Sequence, residues 1–500
     1  MSRELSRRAA LLLGGGLALA ACGTSGGSAS ETPSSGGTLR YGTVAAGGAT
    51  SVADPHGALF NESDWVRMAA LYDVLCVPGE NGEVLPRLAM SWTSSPDATR
   101  WRFELRTDAV FTDGRPVRAR DVLYSLRRIA AKAAANGARL GTVDIGQSTA
   151  DGNVLELVTG RPDAELPRTL AGVTFVVPEG TEAFDDPVGS GPFKLARADA
   201  QGVALVRNDL WWGRRPYLDG LEIRGFADPQ ALSVAVVSNL IDVAANVNPA
   251  TARTAERTGR LTVTSRPDAL TYPLLMRLDK APFDRPEVRQ AVKLAVDRQA
   301  LLDSVLLGYG TPGNDAPGPA DPSYPRDLAV PARDVAKARS LAGGLSVVLN
   351  TTTAYPGMVS TATAVAGQLR EAGIAVEVRQ HPAETYWTQV YTVEPFCLGY
   401  TTDLPFPVWA RQTALSTSSY NETGWKDPAT DRDFATAMAT TDPARRTELL
   451  RGIQRRMAAG GGWVVWGSAA SLTVAAPAVR GLPSGSGFAR IFLDGVWWQP

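Results

Sequence analysis

Nine aromatic side chains crowd into one segment of the chain, which makes this segment the best candidate for a ligand-binding surface. Aromatic residues make up only 7% of the 500-residue sequence, yet nine of them fall between positions 386 and 425. They are Tyr386, Trp387, Tyr391, Phe396, Tyr400, Phe406, Trp409, Tyr420 and Trp425. Ligand pockets favour flat apolar walls with a few polar groups that fix the orientation of the ligand. The segment is therefore a candidate wall of a ligand pocket.

Asp403 lies among these aromatic residues, within the sequence Gly-Tyr-Thr-Thr-Asp-Leu-Pro-Phe-Pro at 399–407. A carboxylate in apolar surroundings pairs with an ammonium group more strongly than it does in water, because the local dielectric constant is low. An amine-bearing ligand is thus a candidate partner for Asp403. The same pattern also allows Asp403 to begin a proline-containing turn and the aromatic residues to belong to a core.

Covalent catalysis and metal binding are not supported by the residues present. The chain has two histidines, His56 and His381, and neither lies in a His-Glu-x-x-His motif. No Gly-Lys dipeptide occurs, which excludes a phosphate-binding P-loop. The Gly-x-Gly-x-x-Gly letters at 308–313 follow a predicted helix, whereas a dinucleotide site requires a preceding strand. We therefore expect no catalytic residues and no cofactor, and we expect His56 to be a turn or surface residue.

The first residues have the pattern of an export signal. Three arginines precede an apolar run at 9–21, which is too short to span a bilayer core of roughly 30 Å. Leu19-Ala20-Ala21-Cys22 resembles a bacterial lipobox, in which the cysteine is lipidated, although a simple signal peptide with a chance cysteine is the alternative. We predict a signal peptide over residues 1–21 and a flexible lipid-tether linker over 22–37. Ser6-Arg7-Arg8 leaves the choice between general and twin-arginine export open.

The remaining composition suits a folded, exported protein that does not bind nucleic acid. Hydrophobic residues make up 44% of the chain, charged residues 20%, and the net charge is −1. Attachment to the outer face of the cell membrane would depend on Cys22, since no second apolar run is long enough to cross a membrane. For Cys76 and Cys397 we favour two separate buried thiols over one disulfide, because a large core needs no cross-link.

Hydrophobic periodicity predicts an alternation of helices and strands typical of an α/β protein. Residues 101–106 alternate apolar and polar side chains, which indicates a half-buried strand. A strand at 345–349, a helix at 362–372 and a strand at 375–378 predict a parallel pair with a right-handed crossover. Further predicted helices cover 64–75, 120–135, 286–307 and 445–458, and further predicted strands cover 38–42, 155–158, 173–177 and 463–466.

Several motifs, taken in order, resemble the extracellular solute-binding proteins of the peptide/nickel/opine importer group, family 5 of the ABC-importer binding proteins. No single motif is decisive, but together the motifs cover nearly the whole mature chain. Their number and order carry the resemblance. They are the segments 37–42, 54–56, 85–92, Phe-x-Leu-Arg at 103–106 with Phe-x-Asp-Gly-x-Pro at 111–116, 121–126, Gly-Ser-Gly-Pro-Phe at 189–193, 207–219 and 282–298.

The resemblance implies an α/β, two-lobed periplasmic-binding-protein-like fold of the large class, with an additional inserted domain. The first lobe would be discontinuous and would comprise residues 38–72, 189–269 and 471–500. The inserted domain would cover 73–188 and the second lobe 270–470. Lobe closure would capture a di- or oligopeptide, and a monomeric, lipid-anchored protein would deliver it to the permease subunits in the membrane.

The resemblance also assigns roles within the aromatic-rich segment. Tyr-Thr-Thr-Asp at 400–403 matches the Trp-x-x-Asp of the family, whose aspartate pairs with a peptide α-ammonium in peptide-binding members, so Asp403 is the leading site residue. Apolar walls are expected from Tyr400, Trp387, Trp409 and Phe406. Arg411 would bind a ligand carboxylate, or would be an ordinary surface arginine.

Tyr400 in place of the usual tryptophan, and the apolar sequence that follows Asp403, leave room for other solutes. A metal chelate, an oligosaccharide or an opine-like amine are the alternatives of the same class. An exported lipoprotein hydrolase and an adhesion or envelope-assembly lipoprotein are the alternatives from other classes. The missing nucleophile–base set argues against the hydrolase, and the absence of a repeat-rich region argues against the adhesin.

Overall fold

The computed structural model describes residues 32–45, 54–57, 62–79, 82–131, 140–199, 202–355, 357–485 and 491–500. The predicted signal peptide, Cys22 and residues 23–31 of the linker lie outside the described residues, so their predicted roles stay predictions. No helix among the described segments combines the length and apolar character that crossing a membrane would need.

The described chain contains strands and helices throughout its length. The strands are β1 (Thr38–Val44), β2 (Cys76–Pro78), β3 (Val84–Pro86), β4 (Ala89–Ser94), β5 (Arg100–Leu105), β6 (Val143–Asp151), β7 (Val154–Thr159), β8 (Phe193–Asp199), β9 (Gly202–Arg207), β10 (Gly220–Phe226), β11 (Val243–Val247), β12 (Thr262–Thr271), β13 (Leu274–Met276), β14 (Gly310–Pro312), β15 (Ser346–Thr352), β16 (Ala375–His381), β17 (Phe396–Leu398), β18 (Thr401–Thr402), β19 (Trp463–Val464), β20 (Gly467–Ala475), β21 (Val479–Arg480) and β22 (Trp497–Trp498). The helices are α1 (Glu62–Leu71), α2 (Ala119–Ala131), α3 (Leu166–Leu170), α4 (Pro229–Val237), α5 (Pro249–Thr258), α6 (Pro286–Ala295), α7 (Arg298–Val305), α8 (Val335–Ala342), α9 (Met358–Glu371), α10 (Ala383–Gln389), α11 (Phe406–Thr413), α12 (Pro428–Ala439) and α13 (Pro443–Gly460).

Three sheets of four or more strands organise these elements. The largest has nine strands in the order β18-β12-β20-β11-β1-β10-β9-β8, with β14 added to β20. The second has five strands in the order β16-β15-β17-β13-β19, and the third is an antiparallel sheet of four strands, β4-β5-β7-β6. The second sheet uses only residues of the predicted second lobe, and the third only residues of the predicted inserted domain. The boundaries between these units stay predictions.

The chain passes directly between the largest and the second sheet at three places. Each passage is two residues long: Tyr272–Pro273 between β12 and β13, Gly399–Tyr400 between β17 and β18, and Val465–Trp466 between β19 and β20. We call these three links the crossings. They bring the edges of the two sheets together along one side.

The clearest periodic patterns are confirmed. In β5, residues alternate between exposed and buried over the whole strand, as the apolar–polar alternation predicts. The predicted β-α-β unit is present as β15, α9 and β16, and the two strands pair in parallel from Ser346 to Thr352. Local periodicity sufficed here because each element buries one face against the same core.

Two predicted elements are wrong in extent. The single helix predicted over 286–307 is interrupted, because Val296 has extended backbone and the Asp297 side chain accepts a hydrogen bond from the Ala300 N–H to begin a new helix. An Asp side chain that caps a new helix competes in this way with helix continuation. The strand predicted over 173–177 is a buried connection in which only Phe175 forms a bridge, with Val74.

The hydrophobic cores follow the sheets. One cluster uses residues from Tyr272 to Ala469 only, and a second uses residues from Leu75 to Val176 only. Cys397 belongs to the first and Cys76 to the second, and both thiols are buried and unbridged. A third cluster joins β1, α1 and β10 with Val74, Phe175 and Val177, so the predicted inserted domain shares a core with the largest sheet.

Candidate ligand-binding site

The carboxyl ends of β15, β16 and β17 form one edge of the second sheet, because β15 pairs in parallel with both neighbours. After β17 the chain crosses into the largest sheet at Gly399–Tyr400, so this edge faces the largest sheet. Ligands of open α/β sheets bind outside the carboxyl ends of the strands. Tyr355, Trp387 and Tyr400 all lie in the segments that leave this edge.

Four aromatic side chains meet at this edge, and we call them the aromatic cluster. The rings of Tyr355 and Tyr400 stack with a centroid distance of 3.6 Å and an interplanar angle of 6°. Trp387 packs edge-on against Tyr355 at 5.8 Å, and Tyr272 lies 6.0 Å from Tyr400. Tyr355, Trp387 and Tyr400 are half-buried, whereas Tyr272 is buried. The cluster thus gives the edge a partly accessible apolar wall.

Two tyrosine hydroxyls of this cluster, those of Tyr272 and Tyr355, do not supply negative charge. Burial raises the pKa of Tyr272 to about 12, and burial also raises the pKa of Tyr355. Both phenols therefore stay neutral at physiological pH and offer hydrogen bonds rather than ion pairs.

Asp403 lies next to the crossing that carries Tyr400. Its position is set by the short antiparallel pairing of β18 with β12, in which Thr402 is opposite Leu270 and Thr401 is opposite Thr271. The Asp403 N–H continues this ladder by donating to the Ala269 carbonyl at 3.1 Å. The residue is half-buried. A carboxylate and an aromatic wall are thus carried by one short segment between the two sheets.

Phe406 and Trp409 lie elsewhere, in the hydrophobic cluster that uses residues from Tyr272 to Ala469. Both are buried, and their ring centroids are 5.9 Å apart. Trp409 also packs edge-on against Trp463 at 5.8 Å. The two residues are three apart on α11, so they share the inward face of that helix. These two side chains therefore belong to the hydrophobic core. Their burial does not favour the predicted role as walls of a ligand pocket.

Arg411 also has a different environment from the one predicted. Its guanidinium pairs with the Asp163 carboxylate at 2.8 Å, and its side chain is only 13% exposed. The expected arginine–carboxylate chemistry is present, but the carboxylate belongs to the predicted inserted domain. Arg411 is therefore neither an open ligand contact nor an ordinary surface arginine.

Tyr272 and Tyr355 are members of the cluster that sequence reasoning missed. Both lie far outside the aromatic-rich segment, so local density of aromatic residues could not reveal them. A weaker feature is shared by both: each follows a strand by one to three residues and directly precedes a proline. A residue before proline favours extended backbone. This places each ring just beyond a strand end.

The two histidines make hydrogen bonds within the protein. His381 Nε2 lies 2.8 Å from Asn350 Oδ1. His56 lies in a turn, as predicted, but it is buried rather than at the surface: Arg128 Nε donates to its Nδ1, and its Nε2 lies 2.8 Å from the Phe175 carbonyl. Among the described residues, no group of three or more His, Cys, Asp or Glu side chains is arranged to hold a metal ion.

Residues 83–422 match the family model of the bacterial extracellular solute-binding proteins, family 5. The glutathione-binding protein GsiB of Pectobacterium atrosepticum is 25% identical over 306 residues, which cover 57% of this chain and 59% of that protein. The nickel-binding periplasmic protein of Escherichia coli is 26% identical over 308 residues, which cover 58% of this chain and 57% of that protein. The matched part thus spans less than two thirds of either relative.

Solved structures match over more of the chain. The periplasmic binding protein DppA of Helicobacter pylori, in complex with the peptide STSA, superposes with a TM-score of 0.77 at 19% identity and covers 93% of this chain and 99% of its own. The binding protein AgaA of A. tumefaciens R10, in complex with agropinic acid, gives a TM-score of 0.75 at 22% identity, with coverages of 93% and 99%. The described chain has the two-lobed fold of these binding proteins.

Proposed function

Since the chain belongs to the bacterial extracellular solute-binding proteins of family 5, we propose that it captures a peptide-like solute and delivers it to the permease of an ABC importer. The single observation that carries this proposal is the placement of Asp403 three residues after Tyr400, which lies on a crossing between the two sheets. A ligand held there would lie where the largest and the second sheet meet. Members of this family are solute-binding components of transport systems, and capture and release need no covalent step.

Asp403 pairs with the ammonium group of the ligand in this proposal. The half-buried setting strengthens the ion pair because fewer waters compete for either charge. The stacked pair of Tyr355 and Tyr400 supplies a flat apolar wall next to it, and Trp387 extends that wall. Closure follows from rotation of the lobes about the crossings, as in other hinge-closing binding proteins.

An opine-like amine is the second candidate solute. Such a ligand also presents an amine to Asp403, and the chain superposes on a binding protein in complex with agropinic acid nearly as well as on one in complex with a peptide. The stack of Tyr355 on Tyr400 offers an apolar face to either ligand. The two candidates differ in whether a peptide bond must be recognised.

We further propose that Cys22 anchors the protein to the outer face of the cell membrane. The support is the lipobox-like sequence before Cys22 and the linker of small residues after it. Bacterial lipoproteins carry several acyl chains, which anchor firmly where a single chain does not. A short flexible linker then keeps the binding protein at high effective concentration near its permease.

Native mass spectrometry of protein purified without denaturation, followed by calorimetry with a library of di- to tetrapeptides, tests the proposed function. We expect a bound peptide whose affinity falls by about 10- to 100-fold in Asp403→Asn, since a hydrogen bond to a charged group contributes roughly 1.5–3 kcal/mol. Asp279→Asn is the matched control, because Asp279 pairs with Arg277 at 2.6 Å on the surface of the same lobe. Hydrolysis of an added peptide, or equal affinity in both variants, contradicts the proposal.

A further inference from the structure

Three ion pairs join one short segment of the predicted inserted domain to the predicted second lobe. Asp163 pairs with Arg411 at 2.8 Å, Arg168 pairs with Asp321 at 2.8 Å, and Glu165 pairs with Arg446. The side chains of Asp163 and Asp321 are fully buried. A backbone bond from the Ala164 N–H to the Met438 carbonyl, at 2.8 Å, lies in the same contact. We call these three ion pairs the clamp.

The clamp holds the helix that directly follows Asp403. The Oδ2 atom of Asp321 accepts a hydrogen bond from Arg168 and, at 2.7 Å, a second one from the N–H of Phe406. Phe406 is the first residue of α11 and comes three residues after Asp403. Arg411, on the same helix, is held by Asp163. Asp321 thus links the first residue of α11 to Arg168 of the predicted inserted domain, and Arg411 links the second half of the helix to that domain directly.

The contact of the predicted inserted domain with the largest sheet has a different character. There, Val74, Phe175 and Val177 share a hydrophobic cluster with residues of β1, α1 and β10. Among the described residues, the core cluster of the second lobe includes no residue of the predicted inserted domain. Polar contacts of modest extent between units are typical of surfaces that separate, whereas shared apolar cores are typical of permanent contacts. The clamp is thus the separable side of this domain.

We propose that the predicted inserted domain positions the Asp403 segment, with Asp163 and Arg168 as positioning residues, and that the clamp opens when ligand is released. The inference rests on the proposed function for the role of Asp403, but not for the clamp itself. A buried carboxylate that loses its cation is strongly destabilised unless water reaches it. Opening of the clamp therefore requires that water reach the carboxylates of Asp163 and Asp321. Ligand release requires that α11 be freed from the segment 163–168.

Hydrogen–deuterium exchange of the full chain without ligand tests the clamp. The variants are Arg446→Met and Arg411→Met, and the fragments followed cover residues 160–170 and 403–413. The control is Arg456→Met, because Arg456 lies on the same helix as Arg446 but pairs with Asp433 inside the second lobe at 2.7 Å. We expect exchange in both fragments to accelerate by about tenfold in the two clamp variants, as local opening becomes easier, and to stay unchanged in the control.

Rescue and ligand binding separate positioning from simple destabilisation. Arg446→Lys keeps a cation opposite Glu165 and is expected to recover most of the slow exchange. Surface plasmon resonance measures the dissociation rate of the tetrapeptide Ala-Ala-Ala-Ala. We expect this rate to increase in the clamp variants and not in Arg456→Met. Unchanged exchange in both fragments, or equal acceleration in the control, overturns the inference. If Asp403→Asn weakens peptide binding while the clamp variants exchange normally, the proposed function stands and the proposed role of the clamp is wrong. If no peptide binds, the exchange rates still test the proposed role of the clamp.

Discussion

Tyr355 and Tyr400 stack face to face at a centroid distance of 3.6 Å although they leave different strands of the second sheet. One ring belongs to the loop after β15, and the other lies on a crossing into the largest sheet. The stack therefore joins a loop of the second lobe to the segment that carries Asp403. Any movement of the crossing relative to the second sheet must slide or separate these two rings.

Removal of one ring tests the stack. Tyr355→Ala is expected to weaken ligand binding by about 1 kcal/mol beyond the loss of contact area, since aromatic pairs contribute roughly 0.5–1.5 kcal/mol. Tyr355→Phe keeps the ring and should retain the affinity. Calorimetry with the co-purified solute measures the effect. Tyr420→Ala, at a side chain that is 59% exposed, serves as the control; a loss of affinity there equal to that of Tyr355→Ala would contradict a specific role for the stack.

Glu422 is expected to make the stability of the protein depend on pH. Burial raises its pKa from 4.5 to about 7, while Tyr391 and Trp463 donate hydrogen bonds to it. Between pH 4.5 and about 7, Glu422 therefore carries a proton in the folded state but not in the unfolded state. The stabilisation is complete below pH 4.5 and is lost as pH rises through 7, on the order of 3 kcal/mol in total at 1.36 kcal/mol for each pH unit.

Glu422→Gln isolates this contribution. The amide can accept from the Trp463 N–H and donate to the Tyr391 hydroxyl oxygen, so the local hydrogen bonds survive. Urea denaturation of both proteins between pH 4.5 and 8 gives the free energies of unfolding. We expect the difference between them to shift in favour of Glu422→Gln as pH rises. A difference that does not change with pH would contradict a raised pKa for Glu422.

Cys22→Ala is expected to release the protein from the membrane fraction without a change in ligand affinity. Lipidation would require the Cys22 thiol, whereas the site residues lie in the folded lobes. Fractionation of cells and detergent phase partition provide the measurement. Cys76→Ala, at a buried thiol inside the third sheet's core, should stay with the membrane. Retention of Cys22→Ala in the membrane fraction would remove the support for a lipid anchor.

Arg298→Met is expected to destabilise the second lobe strongly. Arg298 and Asp315 form an ion pair at 2.8 Å with both side chains 2% exposed, and loss of the cation leaves a buried charge. Breaking such a pair costs about 3–5 kcal/mol. Urea denaturation checks this value. Arg197→Met removes a 70% exposed partner of Asp199 and should change the free energy of unfolding by less than about 0.5 kcal/mol.

Sequence reasoning reached those features whose cause is local in the chain. The alternation of β5 and the β15-α9-β16 unit follow from short-range periodicity, and both are confirmed. The break at Val296 was missed because the pattern of apolar residues runs through it, while a single capping bond at Asp297 ends the first helix. Local patterns describe what a segment buries, but not where a side-chain cap interrupts it.

The candidate site depends on contacts between residues that are distant in the chain, and local patterns do not reveal such contacts. Asp403, Tyr400 and Trp387 lie at the edge between the sheets, but Tyr272 and Tyr355 reach that edge from other strands. The partner of Arg411 is Asp163, which lies in the predicted inserted domain. An arginine that pairs across domains has the same sequence signature as one that waits for a ligand, so only the folded arrangement distinguishes them.

The three crossings also determine how wide the molecule can open. Each consists of two residues, so the strand ends that it joins can be at most three Cα steps, or about 10 Å, apart. Because three such short links lie along one side, the two lobes can rotate only about a hinge at that side. The cleft between the lobes must then widen on the opposite side, and its width increases with distance from the hinge. Under the proposed function, a solute would then enter from that far side, and Asp403, next to the crossings, would be the last group that it meets.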